Sequence, residues 1–253
     1  STIHKHKWLN KSLFIQKNKE LQCDTISGGF VFYDGQMDDY ELGCWVADQA
    51  IKNGVIIKEN HEVYNISTDG KFSIIDNHFY KNKKSYDSKL FDFIIIASGS
   101  YTEELLVNSD ILSNFKTNHV RGSHIIINRH LKNGYFFEYP NEKRIFFVLP
   151  YKNQTLIGTT EERQDLLDPI ICSPKERDYL IKGYNHYFYN KIEEKDIVES
   201  FSGLRPLISS KKSDSKSSRE YAIQKNNKIL SVFGGKWTTS RALARNVCDK
   251  INL

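Results

Sequence analysis

The stretch ILSVFGGKWTTS, residues 229–240, joins a strand pattern to a helix pattern through a glycine turn. Its first residues have the apolar character of a buried strand, and a helix is predicted from the threonines to about Lys250. Gly234, Gly235 and Lys236 stand between them. Glycines let a backbone approach a ligand closely, free N–H groups at a helix start attract negative charge, and the lysine adds a positive charge. From these residues alone, the turn is either an anion-binding element or a tight turn with a surface lysine.

A similar alternation of strand and helix lies nearer the start of the chain. Residues 28–33 predict a strand, the aspartates at 38–39 can cap a helix that runs to Asn53, and residues 55–58 predict the next strand. Residues 93–97 form an apolar run without alternation, which is typical of a strand buried on both faces. Strands that alternate with helices favour an α/β architecture.

The middle of the chain has a different character. Residues 119–158 contain β-rich segments joined by short polar turns, which predict an antiparallel or mixed sheet and add an α+β component. Ser173 and Pro174 predict the start of a helix that ends near Phe188. Residues 1–27 predict a connector or short helix, and residues 71–80 predict a hairpin. Residues 81–90 and residues 209–218 each predict a loop.

The composition excludes several classes of protein. With 253 residues, 39% of them hydrophobic, the chain can bury a core, so global disorder is excluded. No apolar run approaches the roughly 20 residues of a membrane-spanning helix, and no signal-peptide core follows the basic N-terminus. A net charge of +5 is too mild to predict nucleic-acid binding. The four cysteines are scattered without a CxxC pair, so we expect no metal site and reduced thiols in a cytoplasmic protein.

Four polar residues are candidates for a functional site. Arg205 lies between apolar neighbours and before a proline, so it is suited to bind a carboxylate or phosphate or to form a structural ion pair. His124 precedes a strand and is either a general base or a structural histidine. Thr160 follows the end of a strand and lies either in a functional site or in an ordinary turn. Arg219, considered alone, would be a surface residue.

The order of these motifs is more specific than any one of them. The segments concerned are YDGQMDD at 33–39, ASG at 97–99, RGSH at 121–124, PY at 150–151, GTT at 158–160, GLRPL at 203–207, SRE at 218–220 and FGGKWTTSR at 233–241. In this order they closely resemble FAD-dependent glycerol-3-phosphate dehydrogenases, a family of the D-amino-acid-oxidase-like flavoenzymes. The resemblance covers nearly the whole chain, from about Gly29 to Asn252.

The resemblance implies an activity and a set of site residues. Such enzymes of glycerol metabolism oxidise sn-glycerol 3-phosphate to dihydroxyacetone phosphate, pass a hydride to FAD and then electrons to quinone. They are cytoplasmic or attached peripherally to the inner face of the membrane. The implied catalytic residues are His124, Arg205 and Lys236, and the implied substrate-binding residues are Arg205, Arg219, Lys236 and Thr160.

The resemblance also implies a cofactor site. Val63 corresponds to a position near the adenine, and Ala97, Ser98 and Gly99 match an Ala-Thr-Gly strand end near the cofactor, with a serine in place of the usual threonine. The residues implied near the pyrimidine end of the flavin are Gly234, Gly235, Lys236, Trp237 and Thr238. A helix start at this place would stabilise negative charge on the reduced ring.

The implied domains are a connector (1–28), a partial FAD-binding domain of βαβ type (29–112 and 229–253) and a β-rich substrate-binding domain with a mixed or antiparallel sheet (113–228). These enzymes begin with a strand–GxGxxG–helix unit that holds the FAD pyrophosphate, and this sequence contains no GxGxxG. We therefore expect a fragment or reduced homologue that binds FAD weakly or not at all in isolation. Two alternatives stay open: a flavin oxidase of another small hydroxy acid or amine, and a catalytically silent module that binds a phospho-ligand or a protein.

Overall fold

The structure, a computed structural model, describes residues 5–22, 24, 26–67, 71–76, 86–210, 213–218 and 220–251. Arg219 lies outside the described residues. So does the predicted second strand of the hairpin at residues 78–80.

Helices and strands alternate irregularly along the chain. The helices are α1 (Lys11–Lys17), α2 (Asp39–Lys52), α3 (Thr102–Asn108), α4 (Pro174–Tyr187) and α5 (Ser240–Ile251), with 3₁₀ turns at Gly99–Tyr101, Glu194–Asp196 and Trp237–Thr239. The strands are β1 (Lys7–Asn10), β2 (Gly28–Val31), β3 (His61–Ile66), β4 (Lys71–Asp76), β5 (Tyr86–Leu90), β6 (Ile94–Ile96), β7 (Phe115–Ile127), β8 (Tyr135–Glu138), β9 (Ile145–Tyr151), β10 (Gln154–Gly158), β11 (Glu162–Arg163), β12 (Ile197–Ser210), β13 (Ser213–Ser218), β14 (Tyr221–Asn226) and β15 (Ile229–Gly234).

The chain divides into two compact units. The first unit comprises Ser1–Gln36, Arg121–Glu162 and Asp168–Gly203, and the second unit comprises Met37–Val120, Arg163–Leu167 and Leu204–Leu253. This division differs from the predicted domains, because the expected connector falls within the first unit and residues 113–228 are shared between both. The functional assignment of the domains stays a prediction.

The first unit is built mainly from an antiparallel sheet and α4, together with the N-terminal segment that contains α1, β1 and β2. The strands β7, β10, β9 and β8 are neighbours in that order, with Ile125 opposite Ile157 and His124 opposite Gly158. Alternate side chains of these strands face α4 and exclude water with it. The buried core contains Leu21, Ile26, Ile125, Ile127, Leu131, Tyr135, Phe137, Phe146, Val148, Ile157, Cys172, Leu180, Tyr184, Phe188 and Ile192.

The start of α4 is fixed by local chemistry, as the sequence predicts. The Ser173 hydroxyl accepts a hydrogen bond from the Glu176 backbone N–H, while the Glu176 carboxylate accepts one from the Ser173 N–H. This capping box satisfies N–H groups that have no partner within the helix. Pro174 occupies the first turn, where its missing N–H costs nothing.

The second unit contains the parallel strand pair. Its strands β14, β15 and β6 are neighbours in that order; β15 is antiparallel to β14 and parallel to β6, with Ser231 opposite Ile96. A separate antiparallel sheet consists of β3, β4 and β5. The buried core contains Ile66, Ile96, Leu106, Ile111, Ile208, Ile229 and Phe233. The mixture of parallel and antiparallel pairing confirms the predicted fold class.

Several predicted elements are wrong in their pairing or exposure. Residues 55–58 form no strand, and β3 and β2 each pair antiparallel with other strands, so the predicted βαβ unit does not form there. The predicted loop at 81–90 contains β5, and that at 209–218 contains β13. Ile95 is 46% exposed, so β6 is not buried on both faces. These outcomes depend on distant strands, which local patterns do not report.

The Gly234→Ala substitution is expected to destabilise the second unit. Gly234 has a φ of +65°, and a Cβ there would lie 2.7 Å from the Glu220 carbonyl oxygen. We expect the free energy of unfolding to fall by roughly 2–3 kcal/mol, measured by urea denaturation. Gly54→Ala is the matched control, because Gly54 has a φ of +86° but no atom within 4 Å of the Cβ. A loss of only about 1 kcal/mol at both positions would show that the close contact contributes nothing.

Candidate functional site

The carboxyl ends of β6 and β15 lie at the same edge of the sheet in the second unit, because these strands run parallel. Residues 97–99 leave β6 at this edge, and the turn from Gly234 to Lys236 leaves β15 there. The Thr102 hydroxyl donates to the Val232 carbonyl oxygen at 3.2 Å and lies 3.2 Å from the Ser98 hydroxyl oxygen. The carboxyl edge of parallel strands is the usual ligand-binding edge of an α/β sheet.

A cavity of about 350 Å³ lies beside β6. Three of the predicted cofactor residues, Val63, Ala97 and Ser98, line it. The rest of the wall is apolar and consists of Ile66, Phe91, Phe93, Ile94, Ile95, Ile96 and Leu105. Such a cavity suits a flat, largely apolar ring, with the Ser98 hydroxyl as a polar contact.

The turn after β15 has the geometry that its sequence predicts. Gly234 and Gly235 have φ values of +65° and +97°, in the left-handed region that favours glycine. Lys236 is exposed and caps the 3₁₀ turn Trp237–Thr239, and the Thr239 backbone N–H donates to its carbonyl oxygen at 3.0 Å. The Trp237 indole N–H donates to the Asp39 carbonyl oxygen at 3.3 Å, which ties the turn to the start of α2.

Arg205 is half-buried on β12 in the second unit. The carbonyl oxygen of its neighbour Leu204 accepts a hydrogen bond of 3.3 Å from the Ser100 hydroxyl. Ser100 directly follows Gly99 in the 3₁₀ turn after β6. The backbone at Arg205 is therefore held beside the chain segment that leaves the carboxyl end of β6.

His124 lies half-buried on β7 in the first unit. Its ring stacks on Phe201, with centroids 4.8 Å apart and planes at 16°, and its centroid is 5.6 Å from that of Phe147. On the neighbouring strand, a Cβ added to Gly158 would collide with Cδ2 of the His124 ring and lie 2.9 Å from its Nε2. Gly158 is therefore required for the ring to occupy its place beside Phe201.

Thr160 is buried in the first unit, with 3% of its surface exposed. Its hydroxyl accepts from the Ser123 backbone N–H at 2.8 Å and donates to Glu176 Oε1 at 2.7 Å. Both functions of the hydroxyl are thus used by protein groups. Its predicted contact with substrate stays a prediction, while its observed contacts are those of a residue that orders the backbone.

Glu176 is a functional candidate that the sequence reasoning missed. This carboxylate is 1% exposed and accepts hydrogen bonds from the Arg121 guanidinium at 2.8 Å, the Ser123 hydroxyl at 2.6 Å and the Ser173 hydroxyl at 2.8 Å, in addition to that from Thr160. Burial by itself would raise the pKa of Glu176, but these donors outweigh it and lower the pKa to about 2. The motif Ser173-x-x-Glu176 signals a capping box, and it was the only local sign of this site.

The predicted site residues belong to different units. His124 and Thr160 are in the first unit, whereas Arg205, Lys236, Val63, residues 97–99 and the rest of the turn after β15 are in the second. Among the described residues, no three His, Cys, Asp or Glu side chains cluster as metal ligands would. None of the described helices is long and apolar enough to cross a membrane.

Comparisons with known proteins show the family of the chain. The sequence profile of the family described as FAD dependent oxidoreductase matches residues 2–249. The chain is 30% identical to the D-erythritol 1-phosphate dehydrogenase of Brucella abortus, over 87% of this chain and 46% of that protein. It is also 30% identical to a glycerol-3-phosphate dehydrogenase of Pseudomonas tolaasii, over 96% of this chain and 48% of that protein.

A solved structure has a similar fold. The glycerol-3-phosphate dehydrogenase of Bacillus halodurans, complexed with FAD, matches with a TM-score of 0.81 at 20% identity, over 98% of this chain and 51% of that chain. The chain therefore spans about half the length of each of these three proteins.

Proposed function

Because the chain belongs to the FAD-dependent oxidoreductase family, we propose that it serves the oxidation of sn-glycerol 3-phosphate to dihydroxyacetone phosphate. The observation that carries the proposal is the carboxyl edge of the parallel strands in the second unit, where the turn Gly234–Lys236 leaves β15 and the backbone at Arg205 lies beside the segment that leaves β6. A largely apolar cavity runs along β6 and reaches this edge at Ala97 and Ser98. Two relatives support the substrate class, since their names specify dehydrogenases of phosphorylated polyols.

The residues at this edge fit part of an FAD molecule. Val63, Ala97 and Ser98 would hold the adenine side in the apolar cavity, and the turn from Gly234 to Thr238 would lie against the flavin. When bound, FAD accepts the hydride that leaves the carbinol carbon. We assign no described residue to the pyrophosphate, and weak FAD binding by the isolated chain stays a prediction.

The side chains have separate roles in the proposed reaction. Arg205, Arg219 and Lys236 would bind the phosphate dianion, because guanidinium and ammonium groups donate charge-assisted hydrogen bonds to its oxygens. A ring nitrogen of His124 would accept the hydroxyl proton as the carbinol carbon loses its hydride, so that the alcohol becomes a ketone. Stacking on Phe201 restrains the plane of the ring for this transfer. Quinone as the electron acceptor and peripheral membrane attachment stay predictions.

Loss of either basic residue is expected to weaken substrate binding. We expect Arg205→Gln and Lys236→Met each to raise the dissociation constant of glycerol 3-phosphate by about 10-fold or more, because each removes a charge-assisted hydrogen bond. Calorimetric titration of the whole chain, with and without added FAD, measures this constant. Lys182→Met is the control, since Lys182 is exposed and pairs only with Asp178 among the ion pairs described.

The outcomes separate the proposed function from its alternatives. Unchanged binding in both variants would contradict phosphate capture by these residues. Binding without any substrate-dependent dye reduction would favour a catalytically silent phospho-ligand module. Dye reduction with a small hydroxy acid or amine, but not with glycerol 3-phosphate, would favour the alternative flavin oxidase.

A further inference from the structure

We propose that Glu176 is a positioning residue for His124: from the opposite side of β7 it fixes the backbone and the ring contacts that orient the imidazole. The inference rests on the proposed role of His124 as the base. The contacts from which it is argued lie within the first unit.

The first attachment is to the residue before His124. Ser123 is fully buried and, because side chains alternate along a strand, it lies on the face of β7 opposite His124. Its hydroxyl donates to Glu176 Oε1 at 2.6 Å. The first turn of α4 is thus joined to β7 at the position next to the proposed base.

The second attachment fixes the strand that lies opposite His124. Thr160 donates to the same Glu176 oxygen at 2.7 Å, and its backbone N–H donates to the Ser123 carbonyl oxygen at 3.3 Å. Thr160 follows Gly158 by two residues, and Gly158 is the position where any Cβ would displace the His124 ring. Glu176 therefore bonds to β7 beside His124 and to the segment that follows β10, the strand over which the His124 ring lies.

The third attachment reaches the residue that stacks on the ring. An ionised carboxylate only accepts hydrogen bonds, so the Ser123 hydroxyl must donate to Glu176 and its lone pairs accept from elsewhere. The Ser202 hydroxyl lies 2.7 Å from it and donates to it. Ser202 directly follows Phe201, so the stacking partner of His124 is joined to the same network. The charge of Glu176 thus sets the direction of every hydroxyl bond in this chain of contacts, and its lowered pKa keeps that charge in place near neutral pH.

The isosteric Glu176→Gln variant tests the inference. The glutamine amide NH2 donates hydrogen bonds and cannot accept them. One of the donors that surround Glu176, a hydroxyl or the Arg121 guanidinium, would therefore face another donor. Glu194→Gln is the matched control, because Glu194 likewise pairs with an arginine, Arg177 of α4, but is exposed. The first readout is the NMR shift of the His124 ring protons in the whole chain, assigned with His124→Gln. We expect these signals to lose the ring-current shift that stacking on Phe201 produces, in Glu176→Gln and not in Glu194→Gln.

The second readout is turnover of glycerol 3-phosphate by the whole chain in the presence of excess FAD. We expect Glu176→Gln to lower kcat by about 10-fold with KM within about twofold of wild type, because proton transfer is misaligned while the phosphate ligands are untouched. If Glu176→Gln does not fold, Ser123→Ala removes the same link without altering a charge, and the same two results are expected.

Each outcome decides whether Glu176 positions His124 or has only a structural role. Unshifted His124 signals in a folded variant overturn the positioning role, as does a kcat equal to that of wild type. Parallel losses of kcat and folded fraction also overturn it, since they indicate a structural role alone. If wild type does not oxidise glycerol 3-phosphate even with excess FAD, the proposed function fails, and the His124 signals alone then decide the positioning role.

Discussion

Replacing Glu176 with alanine is expected to lower the free energy of unfolding of the first unit by about 3–5 kcal/mol, because a largely buried guanidinium loses its carboxylate partner. Arg121 is only 14% exposed, and the hydroxyls of Ser123, Thr160 and Ser173 lose the same acceptor. The capping box at the start of α4 is lost as well, which removes a bond to the Ser173 N–H. Urea denaturation measures the loss of unfolding free energy, and native-state hydrogen exchange of the β7 amides measures it a second time.

The pH dependence of stability gives an independent check on this carboxylate. The pKa of Glu176 is about 2 in the folded protein, against an ordinary value of 4.5. A depressed pKa contributes stability that is present above pH 4.5 and is lost as the pH falls toward 2. Between these limits we expect the advantage of wild type over Glu176→Gln to shrink by roughly 3 kcal/mol. A constant difference across this range would show that Glu176 is not held ionised.

Local chemistry explains which elements could be predicted from the sequence. Asp38 accepts the Glu41 N–H at 3.2 Å and begins α2, as its position before a helical pattern predicts. Ser173 begins α4 in the same way, and the glycines after β15 have the positive φ values that their turn requires. Each of these signals is complete within a few residues, so no knowledge of distant chain segments is needed.

Partners far apart in sequence explain what could not be predicted. Arg121 and Thr160 meet Glu176 across 55 and 16 positions, so only the capping serine of this network is visible locally. The exposure of Ile95 and the pairing of β5 likewise depend on which strands lie beside them. The resemblance implies nine cofactor-binding residues, and three of them, Val63, Ala97 and Ser98, line one cavity, whereas their contact with FAD stays a prediction.

Replacing Gly158 with alanine is expected to lower kcat for glycerol 3-phosphate by about 100-fold while the unfolding free energy falls by only about 1 kcal/mol. The added Cβ would collide with the His124 ring. The ring is a side chain and can rotate, so it moves rather than the backbone. The ring must therefore turn away from Phe201, and a proton acceptor displaced by about 1 Å loses its alignment with the substrate hydroxyl. Steady-state kinetics and urea unfolding of the same preparations measure both quantities.

Gly35→Ala is the matched control for Gly158→Ala. Gly35 also lies in the first unit, but no atom lies within 4 Å of its Cβ, so its variant should match wild type in both measurements. Gly158→Ala acts on the His124 ring directly, and Glu176→Gln acts on it from the opposite face of β7. Both variants should therefore produce the same loss of ring-current shift. A Gly158→Ala enzyme with wild-type kcat would show that the observed place of the His124 ring is not the one used in proton transfer. Both the base assignment and the positioning role would then be wrong, whereas phosphate capture by Arg205 and Lys236 would be unaffected.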